Sequence, residues 1–331
     1  MTQRRVPLTY GGGIYDRTVR LYSGEIQPEG IDLRYLHLEI EDLFWRQGRF
    51  GEFDAAEYSM GAYLASIEDP AWGFVALPVF PSRVFRHSAV YVHADSGIRQ
   101  PADLNGRAVG VPEWSMTAGL WIRGILGEHY GVDLQSIRWK TGGLATPGRL
   151  EKSRVSPPSR FDVRPLEPGD TLNQALLERR IDAVMTARPP KAFMEGIPQV
   201  RRLFEESAKE EGEYFKRTGV FPIMHVVVIR KALAEAHPWL ANNLRNAFES
   251  ARKPALGRLL DTGVCTVSLV WETAYAERER AAVGDAFQYG VEENRPTLDT
   301  MCRYAAEQGF TRRLLKPEEL FVPSTISSGK V

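Results

Sequence analysis

Two histidines and one glutamate are the side chains of this sequence best suited to proton transfer. His225 lies in the apolar run FPIMHVVVIR, His87 in PSRVFRHS and Glu57 in FDAAEYS. An imidazole titrates near neutrality, so it can serve as a general acid or base. A carboxylate directly after a buried strand is costly unless it has a partner, which favours a functional role for Glu57. A satisfied core histidine is the plainer interpretation of His225, and both remain open.

Four arginines could bind a carboxylate. A guanidinium presents a planar fork that pairs with both oxygens of a carboxylate group. The candidates are Arg83, Arg86, Arg149 and Arg188. If PSRVFRHS is a strand, Arg83 and His87 share one face and Arg86 takes the other. We therefore expect Arg83 and His87 to point into the site together.

Glycines and hydroxyl side chains mark further candidates for ligand binding. The glycines of GGGIYDR let the backbone approach a ligand closely, and a helix beginning near Tyr15 would direct N–H groups at an anion. PEWSMT places a tryptophan beside hydroxyls at a helix start, which suits an aromatic ring that carries a carboxylate. A tight turn and an ordinary N-cap are the alternatives. The residues expected to contact ligand in these loops are Gly12, Gly13, Asp16, Ser59, Trp114, Ser115 and Thr117.

The order of apolar runs predicts the scaffold that positions these loops. The runs VPLTY, IDLRYLHL and FDAAEYS read as strands separated by helical spacing, and RAVGV and IDAVMTA begin a second series. FPIMHVVVIR reads as a returning strand, residues 141–170 as a long loop, and the remainder as helices. We expect an α/β protein of two lobes, each a mixed sheet flanked by helices. Lobe 1 would comprise residues 1–95 and 226–331, and lobe 2 residues 96–225.

Ligands of open α/β sheets bind beyond the carboxyl ends of the strands. GGGIYDR, EYSMG, PEWSMT and ARPPK each follow a predicted strand of this sequence. All four loops are therefore expected to face a cleft between the lobes.

Composition excludes several classes of function. The 331 residues carry 42 Lys plus Arg and 42 Asp plus Glu, so no overall charge attracts nucleic acid or an anionic membrane. No apolar run has the length of a membrane span, and no His, Cys or acidic cluster has metal-ligand spacing. MTQRR lacks the features of a secretory signal, so we expect a cytoplasmic protein. The helical segment after Leu240 offers surface for a homo-oligomer.

Several stretches carry a resemblance to known proteins. FDAAEYSMGAYL, PADLNGRAVGVPEWSMTAGLW, IDAVMTA and FPIMHVVVIR resemble successive segments of the type II periplasmic binding protein fold. Within that fold, GGGIYDR, PVFPSRVFRHSAVYVH, GVPEWSMTAGLWIRGIL and WKTGGLATPGR resemble the 4,5-dihydroxyphthalate decarboxylase family.

The resemblance implies non-oxidative decarboxylation of a small aromatic dicarboxylate to protocatechuate, with no cofactor or metal. In that reaction His225 or His87 would protonate the ring carbon, and Glu57 or Asp16 would accept from the hydroxyls. The arginines would hold the carboxylate that stays on the ring. A solute-binding protein for an aromatic acid or another small anion is the main alternative. A cofactor-free enzyme of another class on the same fold is a third.

Overall fold

The computed structural model describes residues 5–149, 151, 153 and 155–326. This part of the chain forms eleven strands. In chain order they are β1 Val6–Gly12, β2 Ile31–His37, β3 Ala55–Ser59, β4 Phe74–Leu77, β5 Val90–His93, β6 Ala108–Val111, β7 Arg138–Thr141, β8 Asp162–Pro165, β9 Ala183–Met185, β10 Val200–Arg202 and β11 His225–Arg230.

The first sheet has the strand order β2-β1-β3-β11-β4. β1 runs parallel to β2 and β3, whereas β11 runs antiparallel to β3 and β4. The register between β3 and β11 sets His225 opposite Ser59 and Val227 opposite Glu57. Side chains directly and diagonally opposite on one face of an antiparallel pair can touch. Glu57, Ser59 and His225 therefore share one face of this sheet.

The second sheet has the strand order β10-β5-β9-β6-β7-β8 and is also mixed. β6 is parallel to β7 and β9, while β5 is antiparallel to β9 and β10. The lobe limits expected from the sequence stay a prediction. Strand pairing places β5, which lies before residue 95, in the second sheet, and β11 in the first.

Helices cover both sheets and carry the loops at the cleft. They are α1 Val19–Tyr22, α2 Ile40–Phe50, α3 Met60–Ser66, α4 Thr117–His129, α5 Leu172–Leu177, α6 Lys191–Met194, α7 Ser207–Thr218, α8 Lys231–Ala236, α9 Leu240–Arg258, α10 Glu272–Val283 and α11 Arg295–Glu307. Buried side chains from both sheets form one continuous core with α4, α9 and α11. No helix in the described ranges is long and apolar enough to cross a membrane.

Helix α2 shows how local sequence fixes an element that borders the cleft. The Glu39 carboxylate caps its start by accepting from the backbone N–H groups of Glu41 and Asp42, at 2.7 and 3.3 Å. Gly51 ends the helix with φ of 56°, a left-handed conformation that glycine adopts without strain. The acidic first turn of α2 is therefore held at a fixed position beside the second lobe.

Two local predictions are wrong. PSRVFRHS is not a strand: Arg83 makes an isolated bridge to Ile223, and His87–Ala89 form a 3₁₀ turn. The alternation assumed for Arg83, Arg86 and His87 therefore does not apply. The region 141–170 is not entirely loop, because it contains β8, which extends the second sheet by pairing with β7.

Candidate active site

A cavity of about 290 Å³ lies between the two sheets. Its walls come from the ends of β3 and β11, the start of α2, the segment before α4 and the loop after β9. Three of the four loops expected at the cleft, EYSMG, PEWSMT and ARPPK, contribute to these walls. The fourth, GGGIYDR, lies behind the wall, where it contacts Glu57.

Glu57 and His225 form a hydrogen-bonded pair at the floor of the cavity. The Nδ1 atom of His225 lies 2.6 Å from the Glu57 Oε1 atom. Glu57 is fully buried, whereas the His225 side chain is 18% exposed and lines the cavity. Phe44 packs edge-on against the imidazole at 4.8 Å between ring centroids. With Nδ1 turned to the carboxylate, the Nε2 edge of the ring is the part that faces the cavity.

The environment of Glu57 keeps its carboxyl group ionised. Burial by itself raises the pKa, but the hydrogen bond and charge of His225 act against it. The backbone N–H of Gly13 at 2.9 Å and the Tyr15 hydroxyl at 2.7 Å also donate to it, and the pKa of Glu57 is lowered overall. All three donors bind the Glu57 carboxylate, which has no solvent exposure. Glu57 can therefore orient and charge-stabilise His225, but it does not reach a ligand.

Gly13, which follows β1, binds an anion supplied by the chain itself. Gly13 donates its N–H to Glu57 and accepts from the Tyr35 hydroxyl at 2.6 Å. A Cβ on Gly12 would come within 2.4 Å of the Tyr10 ring, and one on Gly13 within 2.8 Å of the Tyr15 hydroxyl. The glycines are thus needed for close packing of tyrosines around Glu57.

Arg86 is the arginine that presents an uncommitted charge to the cavity. It is 9% exposed, and its Nε atom contacts the Met224 sulfur at 3.1 Å, while Nη1 reaches the Ala187 carbonyl at 3.4 Å. Burial lowers its pKa to about 10, which leaves it protonated at neutral pH. Arg86 forms no ion pair with the described residues, although the charge of Glu211 acts on it from farther away and partly offsets the effect of burial on its pKa. A buried cation of this kind favours an anionic ligand.

Arg149 and Arg188 lie at the cavity but are already paired with carboxylates. Arg149 contacts Glu113 at 2.5 Å and Glu41 at 3.1 Å. Arg188 contacts Glu39 at 2.5 Å. The pairs with Glu41 and Glu39 connect the second lobe to the start of α2, so they hold the lobes together across the cleft mouth.

Ser59 and Thr117 form a hydroxyl contact between the lobes. Their oxygen atoms are 2.9 Å apart, and Thr117 Oγ1 also accepts from the Gly61 N–H at 2.9 Å. Both residues line the cavity, next to His225. This contact fixes α3 against the start of α4.

Trp114 does not offer its ring to a ligand. It is buried, donates its indole N–H to the Gln308 carbonyl at 3.0 Å and has the Arg123 guanidinium 3.8 Å from its ring centroid. Ser115 lines the cavity, yet its N–H and hydroxyl donate to Glu151 at 3.1 and 2.6 Å. The backbone N–H of Trp114 donates to the same carboxylate. An internal carboxylate therefore occupies the donors expected to receive a ligand.

Three other sequence candidates lie away from the cavity. Arg83 donates to the Asn294 side chain at 2.5 Å and to the Phe221 carbonyl at 2.7 Å. His87 is enclosed by aromatic rings, and burial lowers its pKa to about 4. Asp16 is exposed and pairs with Arg17 at 3.0 Å. The structure does not bring these residues to the Glu57–His225 pair.

Two proteins with similar sequences carry the name of the same enzyme. A 4,5-dihydroxyphthalate decarboxylase from Comamonas testosteroni is 38% identical over 328 residues, covering 99% of each chain. This chain belongs to the 4,5-dihydroxyphthalate decarboxylase family. A second member of that name, from Pseudomonas putida, is 33% identical over 212 residues, which cover 64% of this chain and 82% of that protein. No family model matches the sequence.

Solved structures show that this decarboxylase family shares the fold of periplasmic binding proteins. The alkanesulfonate-binding protein SsuA from Xanthomonas axonopodis superposes with a TM-score of 0.50 at 13% identity, covering 98% of this chain and 99% of that one. The desulfurization enzyme DSZB gives 0.50 at 16% identity, covering 97% of each chain. The type II periplasmic-binding-protein-like fold expected from the sequence is confirmed. Because a binding protein and an enzyme share it, the fold leaves the activity open.

Some residues of the candidate site could not be identified from the sequence alone. Tyr15 donates to Glu57 across 42 positions, and Phe44 packs on His225 from a different element. Tyr58 lines the cavity although it lies beside Glu57 in an apolar strand. The glycine turn before Tyr15 was the one local sequence pattern that indicated any of these contacts.

No group of three or more His, Cys, Asp or Glu side chains in the described part of the chain could hold a metal ion.

Proposed function

We propose that this protein decarboxylates 4,5-dihydroxyphthalate to 3,4-dihydroxybenzoate (protocatechuate) and carbon dioxide. The observation that carries the proposal is the pair formed by buried, ionised Glu57 and cavity-facing His225, with the cation of Arg86 on the same cavity. The names of the two relatives supply the substrate.

The chemistry needs one proton and no electron acceptor. Each carboxylate of the substrate lies para to a hydroxyl, whose oxygen lone pair can push electrons toward the ring carbon that bears the carboxylate and is restored when the carboxylate leaves. Protonation of that carbon interrupts aromaticity. The bond to the carboxylate then breaks, its electron pair restores the ring, and carbon dioxide leaves. Overall, the dianion and one proton give the monoanion of the product and carbon dioxide.

His225 supplies the proton in this scheme. Its Nε2 edge faces the cavity while Glu57 holds Nδ1, so the imidazolium can donate at Nε2 without losing its orientation. A carboxylate on Nδ1 stabilises the positive charge of the ring, as in other carboxylate–histidine pairs. Glu57 is therefore a positioning residue. The alternative, in which Glu57 accepts a proton from the substrate, does not fit a buried carboxylate that already accepts three hydrogen bonds from the protein.

Arg86 binds the carboxylate that is retained. Its guanidinium is buried, protonated and without an ion pair among the described residues, so a substrate carboxylate would provide its ion-pair partner. The ion pairs of Arg149 and Arg188 close the cleft mouth and limit the entry of water. A poorly hydrated site favours the change of a charged carboxylate into neutral carbon dioxide.

The test is turnover of 4,5-dihydroxyphthalate by purified, chelator-treated protein, followed by carbon dioxide release and product absorbance. Removing a general acid typically costs about 10²- to 10⁴-fold in rate, so His225→Ala should lose at least about 100-fold in kcat. His37→Ala, which changes an exposed histidine, is the control and should retain activity.

Three results would contradict the proposal. Tight binding of the substrate without any carbon dioxide release would support the alternative of a solute-binding protein. Normal turnover by His225→Ala would remove the proton-donor assignment. Loss of activity on chelation would contradict the metal-free scheme. The cytoplasmic location and the homo-oligomer expected from the sequence stay predictions, to be tested by cell fractionation and by light scattering.

A further inference from the structure

A second cavity, of about 640 Å³, lies beside the catalytic cavity. The two cavities have Phe44, Tyr58 and Ser153 in common on their walls. These shared residues, two with aromatic rings and one serine, form a partition between the two cavities. A small molecule that crosses this partition would pass from the catalytic cavity directly into the second one.

Aromatic side chains form much of the second cavity. The rings of Tyr58 and Trp72 stack with centroids 5.4 Å apart, and Phe44 meets Tyr58 edge-on at 5.7 Å. Trp45 lies on the rim and is 46% exposed. Rings arranged in this way offer faces and edges to a flat aromatic ligand.

The partition also carries an unused hydroxyl. Tyr58 is 4% exposed, and its hydroxyl has no hydrogen-bond partner among the described residues. Gly48 of α2 leaves the room that this hydroxyl occupies, because a Cβ there would lie 2.5 Å from it. The Tyr58 hydroxyl is not sealed from solvent, and the residue lines both cavities, so water or a ligand can provide the partner it lacks. A passing ligand with polar groups would provide that partner.

The charges of the second cavity select the kind of aromatic ligand. Arg49 has no ion pair within the described residues, and it faces a cavity that also contains the carboxylates of Asp69 and Glu151. One guanidinium can hold one carboxylate group. Both carboxylates repel a second anionic group. Among the described residues, the Asp69 carboxylate accepts only from the Ala71 N–H and can also accept from a phenolic hydroxyl, whereas the Glu151 oxygens already accept from Trp114 and Ser115. A hydroxylated aromatic monocarboxylate satisfies this pattern, whereas an aromatic dicarboxylate does not.

We infer that the second cavity is a binding site for a hydroxylated aromatic monocarboxylate and is the route by which product leaves the catalytic cavity. The naming of that ligand as the reaction product rests on the proposed function. Loss of one carboxylate during the reaction converts a dianion that this cavity repels into a monoanion that it accepts. The change in charge thereby favours exit over return of unreacted substrate.

The test measures binding of 3,4-dihydroxybenzoate to Arg86→Gln protein, in which the catalytic cavity has lost its cation. Titration calorimetry should still detect one site. Adding Arg49→Gln should weaken that site at least about fivefold. The matched control is Arg46→Gln, on the same helix but paired with Glu52 and outside the cavity, and it should change the affinity less than twofold. Phthalate, a dianion without hydroxyls, should bind this site at least about tenfold more weakly.

A parallel titration of unmodified protein saturated with phthalate, which would fill the catalytic cavity, guards against misfolding of Arg86→Gln. The inference is overturned if neither preparation binds 3,4-dihydroxybenzoate in the millimolar range, or if Arg49→Gln leaves the affinity unchanged. If binding depends on Arg49 but unmodified protein releases no carbon dioxide, the proposed function fails and the site stands. If unmodified protein releases carbon dioxide but neither preparation binds 3,4-dihydroxybenzoate at this site, the proposed function stands and the inference fails.

Discussion

Replacement of Glu57 by glutamine tests the link between the buried carboxylate and the proton donor. Two donors, Tyr15 and His225, meet at Oε1, while the Gly13 N–H meets Oε2. An amide cannot accept at both positions. With its NH₂ group toward Oε2 it opposes the Gly13 N–H, and with its NH₂ group toward Oε1 it forces His225 to accept at Nδ1. The second arrangement is incompatible with an imidazolium.

The magnitude follows from the interaction that is lost. A hydrogen bond to a charged group contributes about 1.5–3 kcal/mol, and each 1.4 kcal/mol is a factor of about ten. We therefore expect kcat of Glu57→Gln to fall by about 10- to 150-fold. The loss should appear in kcat and not in KM, because Glu57 is fully buried and acts on the substrate only through His225.

The assay is steady-state carbon dioxide release between pH 5 and 9, with urea unfolding to show that the variant is folded. Glu52→Gln, an exposed change at the end of α2, is the control and should leave both kcat and KM unchanged. Retention of more than a third of kcat would refute the role given to Glu57. An effect confined to KM would refute it as well.

Three further changes separate structural from functional roles. Burial lowers the pKa of His87 to about 4 from 6.5, so the unfolded state binds more protons between these values, and stability falls as pH drops below 6.5. At pH 5 this loss is about 2 kcal/mol relative to pH 8, and His87→Phe should abolish it in urea unfolding while His37→Phe should not. Arg149→Gln should reduce kcat/KM at least tenfold, whereas Arg188→Gln, in an exposed pair, should change it less than threefold; equal effects would contradict the burial argument. Tyr15→Phe removes one of three donors to the carboxylate and should lower kcat by about 3- to 10-fold with KM unchanged, a result that full activity would exclude.

Much of the fold was predictable because strand periods and turn residues are local signals. VPLTY, FDAAEYS and FPIMHVVVIR became β1, β3 and β11, and their alternation with helices gave two lobes. The short strand β8 was not predictable in this way. None of its residues, DVRP, is fully buried and only Val163 is an apolar strand former, so the strand depends on pairing with the edge of β7.

The site was only partly predictable because contacts across long sequence separations have no local pattern. Glu57 and His225 were each candidates on chemical grounds, but their pairing depends on the antiparallel register of β3 with β11 over 168 positions. Arg149 and Arg188, predicted to bind substrate, line the cavity, and their substrate contacts stay a prediction. Their acidic partners on α2 come from a different lobe, so the sequence could not show that these charges are already compensated.

The choice between Arg83 and Arg86 shows where periodicity fails. The alternation argument requires a regular strand, and the segment from Pro81 to Arg86 is irregular between two short elements. In such a segment the backbone direction changes at each residue, so tertiary contacts determine which side chain enters the cavity. Arg83 turns to Asn294 in the C-terminal part, and Arg86 turns to the cleft.

The anion expected at the glycine-rich turn exists, but it belongs to the chain. GGGIYDR was expected to approach a ligand carboxylate, and its Gly13 N–H donates instead to the carboxylate of Glu57. The backbone N–H at this turn therefore does bind a carboxylate, but that carboxylate lies behind the cavity wall and not in the cavity. A ligand carboxylate bound directly at this turn would leave His225 without its counter-charge. With Glu57 in that position, the turn stabilises the charge that keeps the imidazole oriented, and Arg86 is left to bind the substrate carboxylate.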